Sequence, residues 1–147
     1  MKQFEVVREL RTLAENNEWL FLSGDKFAQN ISAIRKSIDS GQLALEAQLI
    51  NFTPTTVNSV ITQISYTLEI GLGRKFDPKG DTASIRETFL EKYDNRLEEL
   101  SKLFVSTIIG FGCDNELDVS FGTLAYALDV TAQDIDFVVG EVTLTQY

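Results

Sequence analysis

Between Ser59 and Ile70 the chain reads SVITQISYTLEI, with Val60, Ile64, Tyr66, Leu68 and Ile70 on one side of an extended backbone and Ser59, Gln63, Ser65, Thr67 and Glu69 on the other. A period of two held over this length specifies a strand with one buried face. The chain is thereby committed to a sheet that has something apolar to lie against. The opposite face offers hydroxyl, amide and carboxylate groups with no His, Lys or Arg, which suits water or another protein better than phosphate or an electrophilic substrate.

The flanking segments supply the rest of such a sheet and its cover. Phe4, Val7, Leu10 and Ala14 form one stripe of a short opening helix, with Glu5, Arg8, Glu9 and Glu15 outside and Asn16 and Asn17 ending it. Trp19 to Leu22 is a brief apolar run, either a strand or the lead-in to the next element, before a turn at Ser23-Gly24-Asp25. Lys26 to Ser40 is read as a helix on the spacing of Phe27, Ile31, Ile34 and Ile38, although isoleucine also favours strands. Leu43, Leu45, Ala47 and Leu49 alternate with Gln42, Ala44, Glu46 and Gln48, predicting a strand that Pro54 ends.

After Ile70, GLGRKFDPKGD reads as a Gly- and Pro-punctuated connection. It leads to the longest helical pattern, about 82–108, capped by Asp81 or Thr82, with Ile85, Phe89, Tyr93, Leu97, Leu100 and Phe104 on one face and Gly110 and Gly112 as its stop. Two further strands follow. In the first, Leu117, Val119 and Phe121 share one parity and Leu124, Tyr126 and Leu128 the other, a phase change at Gly122 that a bulge explains. Ile135 to Thr145 shows a similar change near Gly140. Together these elements predict a single α+β domain over residues 1–147: a mostly antiparallel sheet packed on one face by helices, its other face left to solvent or a neighbouring subunit.

At 147 residues and 44% hydrophobic, the chain suffices for one such core and no more. Thirteen basic against 22 acidic residues give a net charge of -9, which repels nucleic acid and anionic membranes and favours a protein partner. No run of apolar residues is long enough to span a bilayer, and the N-terminal MKQFEVVRELR has no signal-peptide core, so synthesis in the cytoplasm is expected.

Reactive chemistry is sparse. The chain has no histidine and one cysteine, Cys113, with no basic neighbour in sequence to activate it, so the thiol is expected to be partly buried at a helix end. GLGRK lacks the spacing of a phosphate loop, and its glycines read as a strand end with Arg74 and Lys75 as a solvated or partner-facing patch. Asp114, Glu116 and Asp118 match no calcium loop, and these, with Asp129, Asp134 and Asp136, read as surface, cap or turn carboxylates. Tyr66, Tyr93, Tyr126 and Tyr147 are not interleaved with basic residues as a nucleic-acid stacking surface requires. No catalytic residue, metal or cofactor is expected.

The opening helix, the strand Ile61 to Leu72 running into GLGRKFD, the long helix from about Thr82 and the closing DIDFVVGEVTLTQY resemble, in order and texture, the small tail-terminator and tail-completion proteins of tailed bacteriophages. The resemblance implies a structural protein of the virion tail, made in the host bacterial cytoplasm. It implies a homo-oligomeric ring, typically a hexamer, that meets tail-tube or neck and connector proteins without catalysis. On that view the FTPTTVN and GLGRKFDPKGD segments are contact loops, with Arg74, Lys75 and Lys79 meeting an acidic neighbour and Trp19, Phe52 and Phe76 as apolar anchors. The alternative is a small-ligand-binding or regulatory module of the same architecture.

Overall fold

The computed structural model describes residues 3–23, 42–75, 97–127 and 135–147, and its largest feature is a hairpin. Strand β2 (Leu43–Val57) and strand β3 (Val60–Lys75) run antiparallel and are joined by Asn58 and Ser59 alone. Both turn residues have positive φ, 51° and 65°, the backbone that a two-residue hairpin turn matched to sheet twist demands. Asn58 tolerates that conformation; Ser59 holds it where glycine is the favoured residue.

Around the hairpin the sheet has the order β1-β2-β3-β5-β4. Strand β1 (Leu20–Ser23) lies parallel to β2 and covers only Ala44 to Ala47. Strand β5 (Ile135–Gln146) pairs antiparallel with β3 from Lys75 to Ile64, and strand β4 (Asp118–Ala127) closes the far edge against β5. Helix α1 (Gln3–Asn16) lies over β1 and β2, and helix α2 (Leu97–Asp114) over β3, β4 and β5, both on the same face. The α+β architecture with a mostly antiparallel sheet and helices on one face is therefore as the sequence predicts.

The core sits between helices and sheet. Val6, Leu10 and Ala14 of α1 and Leu100, Phe104, Ile108 and Phe111 of α2 meet Leu45, Tyr66, Leu68, Ile70, Leu72, Val138, Val142 and Leu144. In α1 the buried line runs through Val6, with Val7 only half-buried beside it. Burying side chains of this size stabilises by roughly 1.5–3 kcal/mol each.

Several boundaries differ from the sequence reading, each for a local reason. Pro54 does not end β2; it stays in register opposite Ile64, on a stretch that β1 does not reach, where a missing N–H costs no ladder bond to an outer strand. Gly71 to Lys75 are not a connection but the last residues of β3. Gly73 is there because the Phe137 ring lies flat over it: a Cβ at this position would come within 2.5 Å of the ring. Gly110 and Gly112 do not stop α2, which runs on to Asp114 and closes at Glu116. Glu116 has φ 56°, and Leu117 N–H donates to the Gly112 carbonyl at 2.8 Å. That is a Schellman closure with Glu in the left-handed position, and α1 ends the same way at Glu18 (φ 59°), with Trp19 N–H donating to Ala14.

The phase change at Gly122 is a bulge, a register shift between Phe121 and Leu124. No shift occurs at Gly140, since β5 pairs residue for residue with β3. Phe137 and Val139 are apolar because at that end of the sheet the second face is buried too. Leu22, Ala44 and Phe137 form a small second cluster there, joined by Leu20, Ala127 and Val139. The expectation of a second face left wholly open is thus corrected. Residues 24–41 and 76–96, which hold the predicted helix Lys26 to Ser40 and most of the first half of the long helix, lie outside the described residues.

Candidate functional site

Beyond Ala47 no strand flanks β2 among the described residues, and beyond the Ile64–Gln146 pair β3 has only β2 as neighbour. The distal half of the hairpin is consequently a two-stranded arm, and every residue from Ile50 to Thr62 is exposed. Bulges at Ile50 and at Thr62 interrupt its ladder, and the Thr62 hydroxyl donates to the Thr55 carbonyl at 3.2 Å. Phe52, Pro54 and Thr56 pair with Tyr66, Ile64 and Ile61, so they continue the helix-side face of the sheet past the core. Phe52 is 48% exposed, Val60 62% and Ile61 57%. No charged residue occurs between Glu46 and Glu69, although a quarter of the chain is charged.

The arm's second face is polar. Thr53, Ser65, Thr145 and Asp118 lie in one cross-strand row and Asn51, Thr67, Thr143 and Ser120 in the next, with Ser65 and Thr145 hydroxyls 3.1 Å apart. Such groups hydrogen-bond well. With no histidine in the chain, they have no imidazole to activate them. At the root of the arm a groove of about 480 Å³ is lined by Glu5, Ile61, Thr62, Gln63, Ile64, Gln146 and Tyr147. Tyr147, 76% exposed, hydrogen-bonds Asp118, which holds its hydroxyl above the usual pKa.

One carboxylate stands apart. Glu46 is almost fully buried on the second face, opposite Leu22 on one side and Gly71 on the other, and its Oε2 rests where a side chain on Gly71 would begin. Burial, with a smaller contribution from the Glu69 charge, pushes its pKa up to about 7.

No family model matches the chain, and no curated protein matches it either.

The residues singled out in sequence fall as follows. Phe52 is on the arm, while Trp19 is half-buried against the main core at the end of α1. Arg74 lies inside β3, half-buried, directly across from the buried Asp136 rather than in a solvated loop. Lys75 is the final residue of β3, and Phe76 and Lys79 lie outside the described residues, as do Asp129 and Asp134. The structure therefore does not bring the six predicted contact residues together. Asp114, Glu116 and Asp118 are exposed, and among the described residues no group of carboxylates or thiols converges to hold a metal ion. Cys113 is exposed, not partly buried, because α2 continues past it with its inner side formed by Phe111 and Gly112. Among the described residues no helix is long and apolar enough to cross a membrane.

Val57, Val60 and Ile61 were not singled out by sequence reasoning, nor was the burial of Glu46. The uncharged run from Ala47 to Leu68, with Asn58-Ser59 between two apolar-containing strands, was the signal for the arm.

Proposed function

We propose that this chain is a structural assembly protein of a phage or prophage tail, which forms a ring at the tail end or head-tail joint through protein–protein contacts. The observation that supports a contact role is the arm: a charge-free hairpin with Ile50, Phe52, Val57, Val60 and Ile61 half or more exposed. Its apolar surface is on the order of several hundred Å², the size at which exposed patches mark interaction sites. Natural sheets usually blunt a free edge with charge; here only Pro54 does so. The assignment to a tail rests on the resemblance in element order, and the arm gives that reading a means of joining subunits.

Molar mass in solution tests it. The wild-type chain should form a discrete oligomer by light scattering coupled to gel filtration, and a variant with residues 55–63 replaced by Asn-Gly, closing the hairpin at the Pro54–Ile64 pair, should be monomeric and folded. Each subunit carries a charge of -9, so association through an uncharged arm should strengthen as salt screens the repulsion. A wild-type monomer at all concentrations, alone and with tail-tube protein, would refute the proposal.

A further inference from the structure

From Leu103 to Cys113 helix α2 carries no charge, although only one side of it packs on the sheet. Phe104, Ile108, Phe111 and Gly112 are buried; Ser106, Ile109, Gly110 and Cys113 are exposed, Ile109 to 46%. Gly110 is the informative residue. A Cβ added there would meet nothing within 4 Å, so the isolated chain gains no packing from a glycine that weakens the helix by roughly 1 kcal/mol relative to alanine. Gly112, one step round the helix, has an internal reason: its Cβ would collide with Val119 and with the Leu117 carbonyl. Gly110 has none inside the molecule, and leaves room for something outside it.

The arm has the complementary form, a narrow ribbon with Phe52, Pro54 and Ile61 along one face. Strand addition at its free edge is disfavoured, since Pro54 offers an incoming strand no N–H in the middle of the pairing. Docking by its face remains, and that needs a flat, apolar, uncharged recipient. Two copies that each carry -9 come together with least repulsion where neither presents a charge, and both the arm and the outer side of α2 meet that condition.

We infer that the outer face of α2, around Ile109 and Gly110, receives the arm of a second copy of this chain, with Phe52 and Ile61 seated over Gly110. The inference rests on the reading of the arm as a contact element and names its recipient. A chain cannot satisfy itself this way, because Gly110 faces away from the sheet of which the arm is a continuation. Arm-to-helix contact is head-to-tail, so it propagates from copy to copy and ends in a closed ring or a filament.

Two single variants test the geometry. Ile61→Asp disables the arm and keeps the helix face; Gly110→Leu fills the recipient surface and raises helix propensity, so loss of assembly cannot be ascribed to a weakened helix. Native mass spectrometry should find the wild type oligomeric, each variant monomeric with at least a tenfold weaker association, and an equimolar mixture of the two forming a 1:1 heterodimer. That heterodimer joins the intact arm of Gly110→Leu to the intact helix face of Ile61→Asp and can grow no further. If Gly110→Leu assembles like the wild type, the recipient lies elsewhere, and this inference fails while the ring reading stands. Two monomeric variants that remain monomeric when mixed would overturn it in favour of a symmetric arm-to-arm contact. A monomeric wild type would remove both the inference and the reading beneath it.

Discussion

Glu46→Gln should make the protein more stable at pH 8 and indistinguishable from wild type at pH 4. Glu46 is buried against Leu22, Gly71 and the Phe137 cluster, and burial pushes its carboxyl up to about 7 from 4.5. Between those two values the folded chain binds a proton that the unfolded chain has released, so unfolding free energy falls as pH rises through this window. Below about 4.5 both states are protonated and nothing is lost; above about 7 the fold holds an ionised carboxylate in an apolar site. At about 1.4 kcal/mol per pH unit the full loss is up to about 3 kcal/mol. Glutamine has nearly the same shape and no charge, so its stability is free of this dependence. Urea denaturation of both proteins at intervals from pH 4 to 8.5, at protein concentrations low enough to keep the chain monomeric, isolates the Glu46 contribution as the difference between the two curves. That difference should open from about zero to about 2–3 kcal/mol, with its midpoint between 4.5 and 7. Parallel curves, or a glutamine variant less stable at pH 8, would refute the placement of Glu46 in an apolar site.

Other substitutions test the local geometry. Ser59→Gly should stabilise the hairpin by roughly 0.5–1 kcal/mol, because the residue already holds a positive φ; an unchanged or lower melting temperature would count against the turn. Gly110→Ala and Gly112→Ala should diverge in thermal melts of the monomer, the first stabilising by roughly 0.5–1 kcal/mol and the second destabilising by about 1–3 kcal/mol as its Cβ meets Val119 and Leu117. Phe137→Ala should cost about 3–5 kcal/mol in chemical denaturation, since it empties the second cluster and uncovers Gly73.

The parts of the fold legible in sequence were those where one physical pattern acts alone. Tyr66, Leu68 and Ile70 alternate with Ser65, Thr67 and Glu69 because helices cover one side and the other is polar, so β3 could be read directly. At the opposite end of the same sheet both sides are buried, and alternation disappears. Leu43 to Ala47 are all buried, and Phe137 and Val138 pack into different clusters from adjacent positions. Glu46 therefore sat on the polar parity by spacing and inside the molecule in fact. Gly71, Gly73, Gly110, Gly112 and Pro54 were read as punctuation, which is their commonest role. Here the two strand glycines admit Phe137 and Glu46, and the proline lies on an unflanked edge. The helix stop was invisible because glutamate, not glycine, takes the left-handed position at residue 116. The candidate site was missed as loops for a related reason: its residues are exposed, and exposed Thr, Asn and Pro look alike in a turn and in a free ribbon.

The β2–β3 pairing also fixes a sequence of events. Its two-residue turn makes it the only strand pairing among the described residues that closes without a long intervening segment, so it can form in microseconds while β1 and β5 wait on slow, distant encounters. On the ribosome this hairpin emerges before β4 and β5 have been made. Its sticky ribbon is thus on display while the platform beneath it is half built. Nascent copies on one messenger must either be kept apart until the C-terminal strands dock or risk joining through half-finished subunits.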